Sequence, residues 1–296
     1  MDVSIILVNY NTKDLICACI ESIYNHTKAL EYEIIVSDNN SLDDSVSTLR
    51  RMYPSVIIIE NKKNLGFGAA NNRGLSVAKG KYIFYLNSDT YLKNNAIKMF
   101  YDYFEKHQSE NIGALGAILI NEKDEKLISY GRFPTLKRDI TSVISCFLKS
   151  VGIRKDTKVQ RNNSYIGNVD FIIGADLFVK NNEFAKFDEH FFMYFEETDL
   201  QFQMNKIGLS RIIIEGPKIV HLEGGSSGMK TKKYSFEKLT SCYYWISCVK
   251  YHKKNDEKVL LLRFFIFVIK FIYSLSKNRK NYSYVTENLS KIEGLK

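Results

Sequence analysis

Four clusters of amides and carboxylates stand in the first ninety residues, each directly after a short apolar run: Asn9, Tyr10 and Asn11; Asp38, Asn39 and Asn40; Asn61 and Asn64; Asn87, Ser88 and Asp89. An Asp in such a place holds a metal, caps a helix or turns the chain, and a single Asn or Asp often serves a turn alone. Four clusters converging on one place would do more, because amides and carboxylates together suit a base, a ribose and a metal-bound phosphate. Two further groups lie downstream. Glu196, Glu197 and Asp199 are close together in "YFEETDL", at what reads as a helix entry, where the helix dipole favours acids. His221 follows "RIIIEGPKIV" and precedes a Gly-Gly pair. A neutral imidazole with one carboxylate and phosphate oxygens suits Mn2+ or Mg2+, and the imidazole tilts the choice toward Mn2+.

The elements that must position these groups follow from hydrophobic pattern. "VSIILV" from Val3, "EIIVS" from Glu33, "VIIIE" from Val56 and "YIFYL" from Tyr82 are rich in β-branched and aromatic residues without polar alternation, as strands covered on both faces are. Between them "DLICACIESIYNHT", "SLDDSVSTLRRMY" and "GFGAANNRGLSVAK" carry helical spacing, and Ser41 is expected to cap the second, with Asp44 at its third position. This is a βαβ series, which gathers ligands beyond the carboxyl ends of its parallel strands. "GFGAAN" from Gly66 has Asn71 where a dinucleotide fingerprint needs its third Gly, and it follows the third strand rather than the first, which argues against a dehydrogenase. A helix is expected over 94–108, an apolar stretch over 112–120, and a poorly periodic basic segment from Glu122 to about Asn163.

The composition is that of an ordered globular protein: 45% of the 296 residues are hydrophobic and three are Pro. Five cysteines without a CxxC pair suit reduced thiols, and the opening residues read as a strand rather than a basic leader, so a cytoplasmic protein is expected. The net charge of +9 belongs to the tail, where Lys230–Lys296 holds 15 Lys and Arg against 5 Asp and Glu. There the apolar run 259–276 is interrupted by Arg263 and Lys270, with Lys277 seven residues further on. That spacing predicts a basic amphipathic helix on an anionic membrane surface, at the inner face of the cytoplasmic membrane, the alternative being a helix packed within the protein. No nucleic-acid recognition module is apparent.

Taken together, "VNYN", "VSDNNSLDDS", "NLGFGAANNRG", "LNSDT", "FFMYFEETDL" and "HLEGGSS", in this order over residues 3–228, resemble glycosyltransferase family 2 and its rhamnosyltransferase-like branch of bacterial polysaccharide biosynthesis. The resemblance implies an α/β GT-A fold: a Rossmann-like nucleotide-binding part over 1–120 and an acceptor part over 121–230, followed by a helical extension over 231–296. It also implies a nucleotide-diphosphate sugar donor, a divalent metal and inversion at the anomeric carbon. Asn9, Tyr10 and Asn11 would then edge the base pocket, Asp38 and Asn40 face the base or ribose, and Gly66, Asn71 and Asn72 meet the nucleotide. Asp89 would bind the metal, with Ser88 beside it, and His221 would complete the site. Asn87 replaces the first carboxylate of the family's Asp-x-Asp, which leaves one negative ligand fewer. Gly174 and Ala175 match a small-residue turn beside the donor sugar. Glu197 takes the place of the family's catalytic Asp as the base, supported by Glu196 and Asp199, and Phe191, Phe192, Tyr194 and Phe195 divide between core and acceptor wall. The family's acceptors include glycans on a polyprenyl diphosphate, which the basic segment 132–161, with Arg154 and Lys155, would receive. Two other readings use the same crevice: a nucleotidyltransferase making nucleotide sugars, and a noncatalytic binder of nucleotide sugars or lipid carriers.

Overall fold

In the computed structural model, which describes residues 1–150, 152–153, 164–222, 238–255, 258–275 and 278–294, the four apolar runs form one half of an eight-stranded sheet, with the third run at its edge and only partly buried. β1 (Val3–Asn9), β2 (Tyr32–Asp38), β3 (Ile57–Glu60) and β4 (Tyr82–Asn87) lie parallel in the order β3-β2-β1-β4. β1 pairs with β2 from Val3 opposite Tyr32 to Asn9 opposite Asp38, and with β4 up to Val8 opposite Asn87. This register brings three of the polar clusters side by side at the carboxyl edge. The crossovers are α1 (Lys13–His26), α2 (Ser45–Met52) and α3 (Phe67–Leu75). Ile5, Leu7 and Phe84 share one apolar layer with Ile16 and Ile20 of α1, whereas Ile6, Ile35, Ile83 and Tyr85 belong to the other. A Cβ at Gly74 would stand 2.5 Å from Ile6 Cγ2, so α3 approaches β1 this closely because position 74 lacks a side chain.

The second helix starts later than its sequence suggests. Asp44 precedes its first residue without a side-chain cap, and Ser41 donates its hydroxyl to Asp38 Oδ1 at 2.6 Å instead. The carboxylate at the end of β2 competes for Ser41 and wins, because a charged acceptor makes the stronger bond.

Beyond β4 come β5 (Thr90–Leu92), α4 (Ala96–Lys106), β6 (Ile112–Ala117), β7 (Tyr130–Gly131), α5 (Leu136–Ser150), β8 (Gly167–Asn168), β9 (Phe171–Ile172), β10 (Asp176–Lys180), α6 (Glu196–Lys206), β11 (Ser210–Ile214) and β12 (Ile219–His221). The sheet continues β4-β10-β6-β11-β8, with β10 antiparallel to β4 and β6, and β11 parallel to β6. β12 pairs with β5, and β7 with β9, as separate two-stranded ribbons.

The chain forms two compact units. The first comprises Met1–Phe133, Arg161–His190 and Glu196–Lys230, and the second Pro134–Gln160, Phe191–Phe195 and Thr231–Lys296. In the second, α5 groups with α7 (Leu239–Asn255), α8 (Val259–Ser274) and α9 (Arg279–Gly294). The segment from Glu122 is therefore not featureless: Leu136, Ile140 and Val143 are buried along α5 at helical spacing, a stripe obscured in the sequence by the intervening Lys and Arg. Arg154, Lys155 and the Gly-Gly pair after His221 lie outside the described residues. The interior of this unit holds Trp245 against Phe265, and His252 Nε2 2.7 Å from Asp139 Oδ2, to which the Cys248 thiol also donates at 3.6 Å. Asp139, Cys248 and His252 are close enough to hold an ion, yet the carboxylate already satisfies both partners without one.

Candidate active site

The site begins with a network that fixes the edge of the sheet. Asn9 is fully buried, and its Nδ2 donates to Asp38 Oδ1 at 2.6 Å, Ser45 Oγ at 2.8 Å and Ser41 Oγ at 3.0 Å, while its Oδ1 accepts from Thr12 at 2.8 Å. Asp38 Oδ2 accepts from Ser41 N at 2.9 Å. Asn9 and Asp38, the residues expected at the base and ribose, are both buried and engaged with each other and with the neighbouring loop. They fix the strand ends and loops around them, while Tyr10, Asn11 and Asn40 remain exposed. Asn11 and Asn40 take left-handed backbone conformations, φ 55° and 63°, which Asn tolerates better than most residues.

A similar inward commitment holds along α3. Gly66, at φ 85°, lets the chain turn into the helix, and its carbonyl accepts from Asn39 Nδ2 at 3.1 Å. Asn71 donates to Phe67 O, and Asn72 clamps the segment after β10 through Phe187 N, Phe187 O and Glu189 Oε1, all within 3.0 Å. Glu189, in "FDEHF", was missed as a partner in the sequence because the contact spans 117 positions.

At the end of β4 the chain places Asn87, Ser88 and Asp89 in a tight turn held by the Thr90 hydroxyl on Asn87 O, at 2.7 Å. The Cys19 thiol donates to the same carbonyl at 3.7 Å, and burial pushes that thiol up to about 12, so it stays neutral beneath the turn. β12 then brings in the distant histidine. Thr90 pairs with His221, Leu222 N donates to Asp89 O at 2.9 Å, and His221 N donates to Ile120 O at 2.9 Å. The result sets His221 Nε2 3.4 Å from Asp89 Oδ1, with the carboxylate almost wholly buried. Adjacent ligands on one octahedral Mg2+-sized ion lie about 3 Å apart. The pair therefore fits a divalent ion after a movement of a few tenths of an ångström, and phosphate oxygens of a donor would supply the remaining ligands.

The third group comes from α6. Glu197 is partly buried, and that burial pushes its carboxyl above the ordinary glutamate value, against backbone and Thr198 hydrogen bonds that favour the ion. Glu196 and Asp199 are more deeply buried, and Asp199 accepts from Gln203 Nε2 at 3.2 Å. Tyr194 and Phe195, immediately before the helix, both have φ near 69°, a strained setting for bulky residues that costs about 1–3 kcal/mol each. Their rings pack on Tyr244 of α7, and Phe192 packs on Tyr243. Gln201 secures the helix to β9 by donating to Ile172 O and accepting from Ile172 N, each at 2.8 Å.

Gly174 and Ala175 join the two halves. A Cβ at 174 would meet Glu197 Cβ and Cγ at 3.5 Å, so a larger side chain there would crowd the carboxylate, while Ala175 O accepts from Asn87 N at 3.0 Å. The structure thus brings Asn87, Asp89, His221, Gly174, Ala175 and Glu197 together as one connected rim. Asp176, the next residue, reads in the sequence as the start of a helix but opens the strand β10 instead. It is fully buried at the edge of β10 with Oδ2 accepting from Ala117 N at 2.7 Å, and burial raises its carboxyl well above the ordinary range.

Residues 4–150 match the family described as Glycosyl transferase family 2, a stretch that ends before Gly174, Glu197 and His221. The chain is 37% identical over 124 residues to a poly(ribitol-phosphate) beta-glucosyltransferase of Bacillus spizizenii, covering 40% of this chain and 20% of that protein. Over 90 residues it is 41% identical to the UDP-Glc:alpha-D-GlcNAc-diphosphoundecaprenol beta-1,3-glucosyltransferase WfaP of Escherichia coli, covering 30% and 36% respectively. The chain thus spans about a third or less of these relatives' own length. Among solved structures, the mannosyltransferase PcManGT from Pyrobaculum calidifontis, in complex with GDP-Man and Mn2+, superposes with a TM-score of 0.56 at 13% identity, covering 99% of this chain and 75% of that one. That likeness shows a shared GT-A fold, and the match over residues 4–150, about half of the chain, places it in glycosyl transferase family 2.

Proposed function

We propose that the protein transfers a sugar from a pyrimidine nucleotide-diphosphate sugar, of the dTDP-rhamnose or UDP-hexose type, to a glycan acceptor carried on a polyprenyl diphosphate, with inversion at the anomeric carbon. The observation that carries this reading is the rim itself: a carboxylate and imidazole 3.4 Å apart on one side, and a partly buried glutamate beside a glycine on the other, bridged by the Asn87 to Ala175 hydrogen bond. The printed name of WfaP, with its UDP-Glc donor and diphosphoundecaprenol acceptor, supports the substrate classes.

In this mechanism Asp89 and His221 would hold Mn2+ or Mg2+, which would supply positive charge to the leaving diphosphate. Asn87, a neutral amide, adds no second charge to the ion. Glu197 removes the proton of the acceptor hydroxyl as its oxygen forms a bond to the anomeric carbon. The bond from that carbon to the diphosphate breaks on the opposite face, and its electron pair leaves with the phosphate oxygen. Gly174, lacking a side chain beside Glu197, keeps the base uncrowded on that side. The reaction belongs to cell-surface polymer synthesis at the inner face of the cytoplasmic membrane, where the acceptor lipid resides.

The test is product analysis with Mn2+, UDP-glucose or dTDP-rhamnose, and a polyprenyl-diphosphate-linked sugar. A new glycosidic bond of inverted configuration by NMR is expected. Release of pyrophosphate from a nucleoside triphosphate and a sugar phosphate, without glycoside formation, would favour a nucleotidyltransferase instead. A noncatalytic binder would turn over neither mixture.

A further inference from the structure

Helix α8 is apolar on both faces, yet among the described residues only one is buried. Phe265, Ile269 and Ile272 are buried within the helical unit, Phe265 against Trp245 and His252. On the opposite side Leu260, Phe264, Phe267, Phe271 and Leu275 are 81%, 50%, 64%, 52% and 55% exposed. Their spacing confines them to about 80° of the helix surface. Phe267 and Phe271 stack at 6.3 Å, which makes a continuous apolar strip rather than scattered residues. A soluble surface rarely leaves such a strip uncovered unless something binds it.

The charge around the strip identifies the occupant. Arg263 is exposed on its border, Lys258 immediately precedes the helix, and Arg279 and Lys280 open the next one. No Asp or Glu occurs anywhere in Val259–Ser274. Lys270, which the sequence places with Arg263, is turned to α9 and neutralised by Glu293 at 2.5 Å. A two-fold contact between copies would set this cationic border against itself, whereas an anionic lipid surface would complement it. At 16 residues the helix is about 24 Å long, short of a ~30 Å hydrocarbon core, and among the described residues no helix is long and apolar enough to cross a membrane.

We infer that the outer face of α8 docks the protein onto an anionic bilayer, lying in the plane of the interface with Leu260, Phe264, Phe267, Phe271 and Leu275 in the acyl boundary and Arg263 reaching the headgroups. The inference names the surface behind the peripheral membrane location proposed above and rests on that reading. A face of this kind keeps the enzyme on the leaflet that carries its acceptor.

The test is co-sedimentation of the full chain with vesicles of phosphatidylglycerol and phosphatidylethanolamine, and with vesicles of phosphatidylcholine alone, in the absence of donor and acceptor. Binding to the anionic vesicles that weakens with added salt is expected. The double substitution Phe267→Gln and Phe271→Gln should weaken it about a hundredfold, since each ring forfeits its burial, and Arg263→Gln about fivefold. Met52→Gln, which alters an exposed apolar residue of α2, should change nothing. Circular dichroism and nucleotide binding confirm that each variant is folded. Equal binding by the double variant, or no vesicle binding by the folded wild type, overturns the inference. So does a wild-type dimer that the double variant converts to monomer, for then the strip seats a second copy. Because nucleotide binding and transfer are measured without vesicles, failure of docking alone leaves the transferase reading standing, and vesicle binding without transfer leaves only the docking.

Discussion

Replacing Glu197 with Gln removes the proposed base while keeping its shape. The amide keeps the same Cβ and Cγ beside Gly174 and an oxygen to accept from the Thr198 hydroxyl, so fold and donor site should persist. Loss of a general base costs about 10²–10⁴ in rate. A fall of about 10³ in kcat, or roughly 4 kcal/mol of barrier, is expected. Nucleotide affinity should stay within about twofold, because Glu197 is not placed on the diphosphate. Glu196→Gln and Asp199→Asn act on more deeply buried groups of the same helix turn and should lower kcat less than Glu197→Gln does. The pH profile supplies an independent check. Burial raises the Glu197 carboxyl, so a larger fraction of it is protonated at any given acidic pH, and the acid limb of kcat should have its midpoint above 4.5. Below that midpoint the base is protonated and the rate falls about tenfold per pH unit. The assay is transfer from the labelled donor under saturating acceptor, from pH 4.5 to 8. A Gln variant that keeps more than about a tenth of wild-type kcat, or the same acid limb in wild type and variant, would refute the assignment.

Two further substitutions probe the frame. Asn9→Ala removes four buried side-chain hydrogen bonds and deprives the Asp38 carboxylate of a donor, which should cost about 2–4 kcal/mol, read from the urea midpoint; an unchanged midpoint would mean the network contributes nothing. Asp176→Asn tests the buried carboxyl through linkage. The unfolded chain loses this proton near pH 4 while the folded protein retains it, so the folded state binds more protons above that pH and wild-type stability falls as pH rises, until the folded group also ionises. The Asn variant keeps an acceptor for Ala117 N and cannot ionise, so it should exceed wild type in stability at pH 7, with the gap shrinking as the pH is lowered toward 4. A gap that does not vary with pH would show that Asp176 carries no such penalty.

Much of the donor half was legible because its signals are periodic: four apolar runs without alternation, three amphipathic stretches, and polar residues at each strand end. What those polar residues do was less legible. Asn9 and Asn72 read as ligand groups, but both amides bind the protein itself, because a buried amide takes whatever donors and acceptors the neighbouring loops bring. Ser41 left its expected cap for the Asp38 carboxylate, three residues earlier at the end of β2. The Asp89 and His221 pair depends on two three-residue strands set far apart in the chain, too short to announce their partner. In α5 the apolar stripe was diluted by basic residues, and in α8 an all-round apolar surface concealed that one side packs and the other faces solvent.

The central claim is that Asp89, at the end of β4, and His221 hold the metal that binds a donor diphosphate. Calorimetric titration with UDP, dTDP and GDP, with and without Mn2+, tests it most directly in wild type, Asp89→Ala and His221→Ala. The account predicts Mn2+-dependent binding of a pyrimidine nucleotide by the wild type, abolished by Asp89→Ala and weakened by His221→Ala. Binding that ignores Mn2+, or that survives the loss of Asp89, would contradict it.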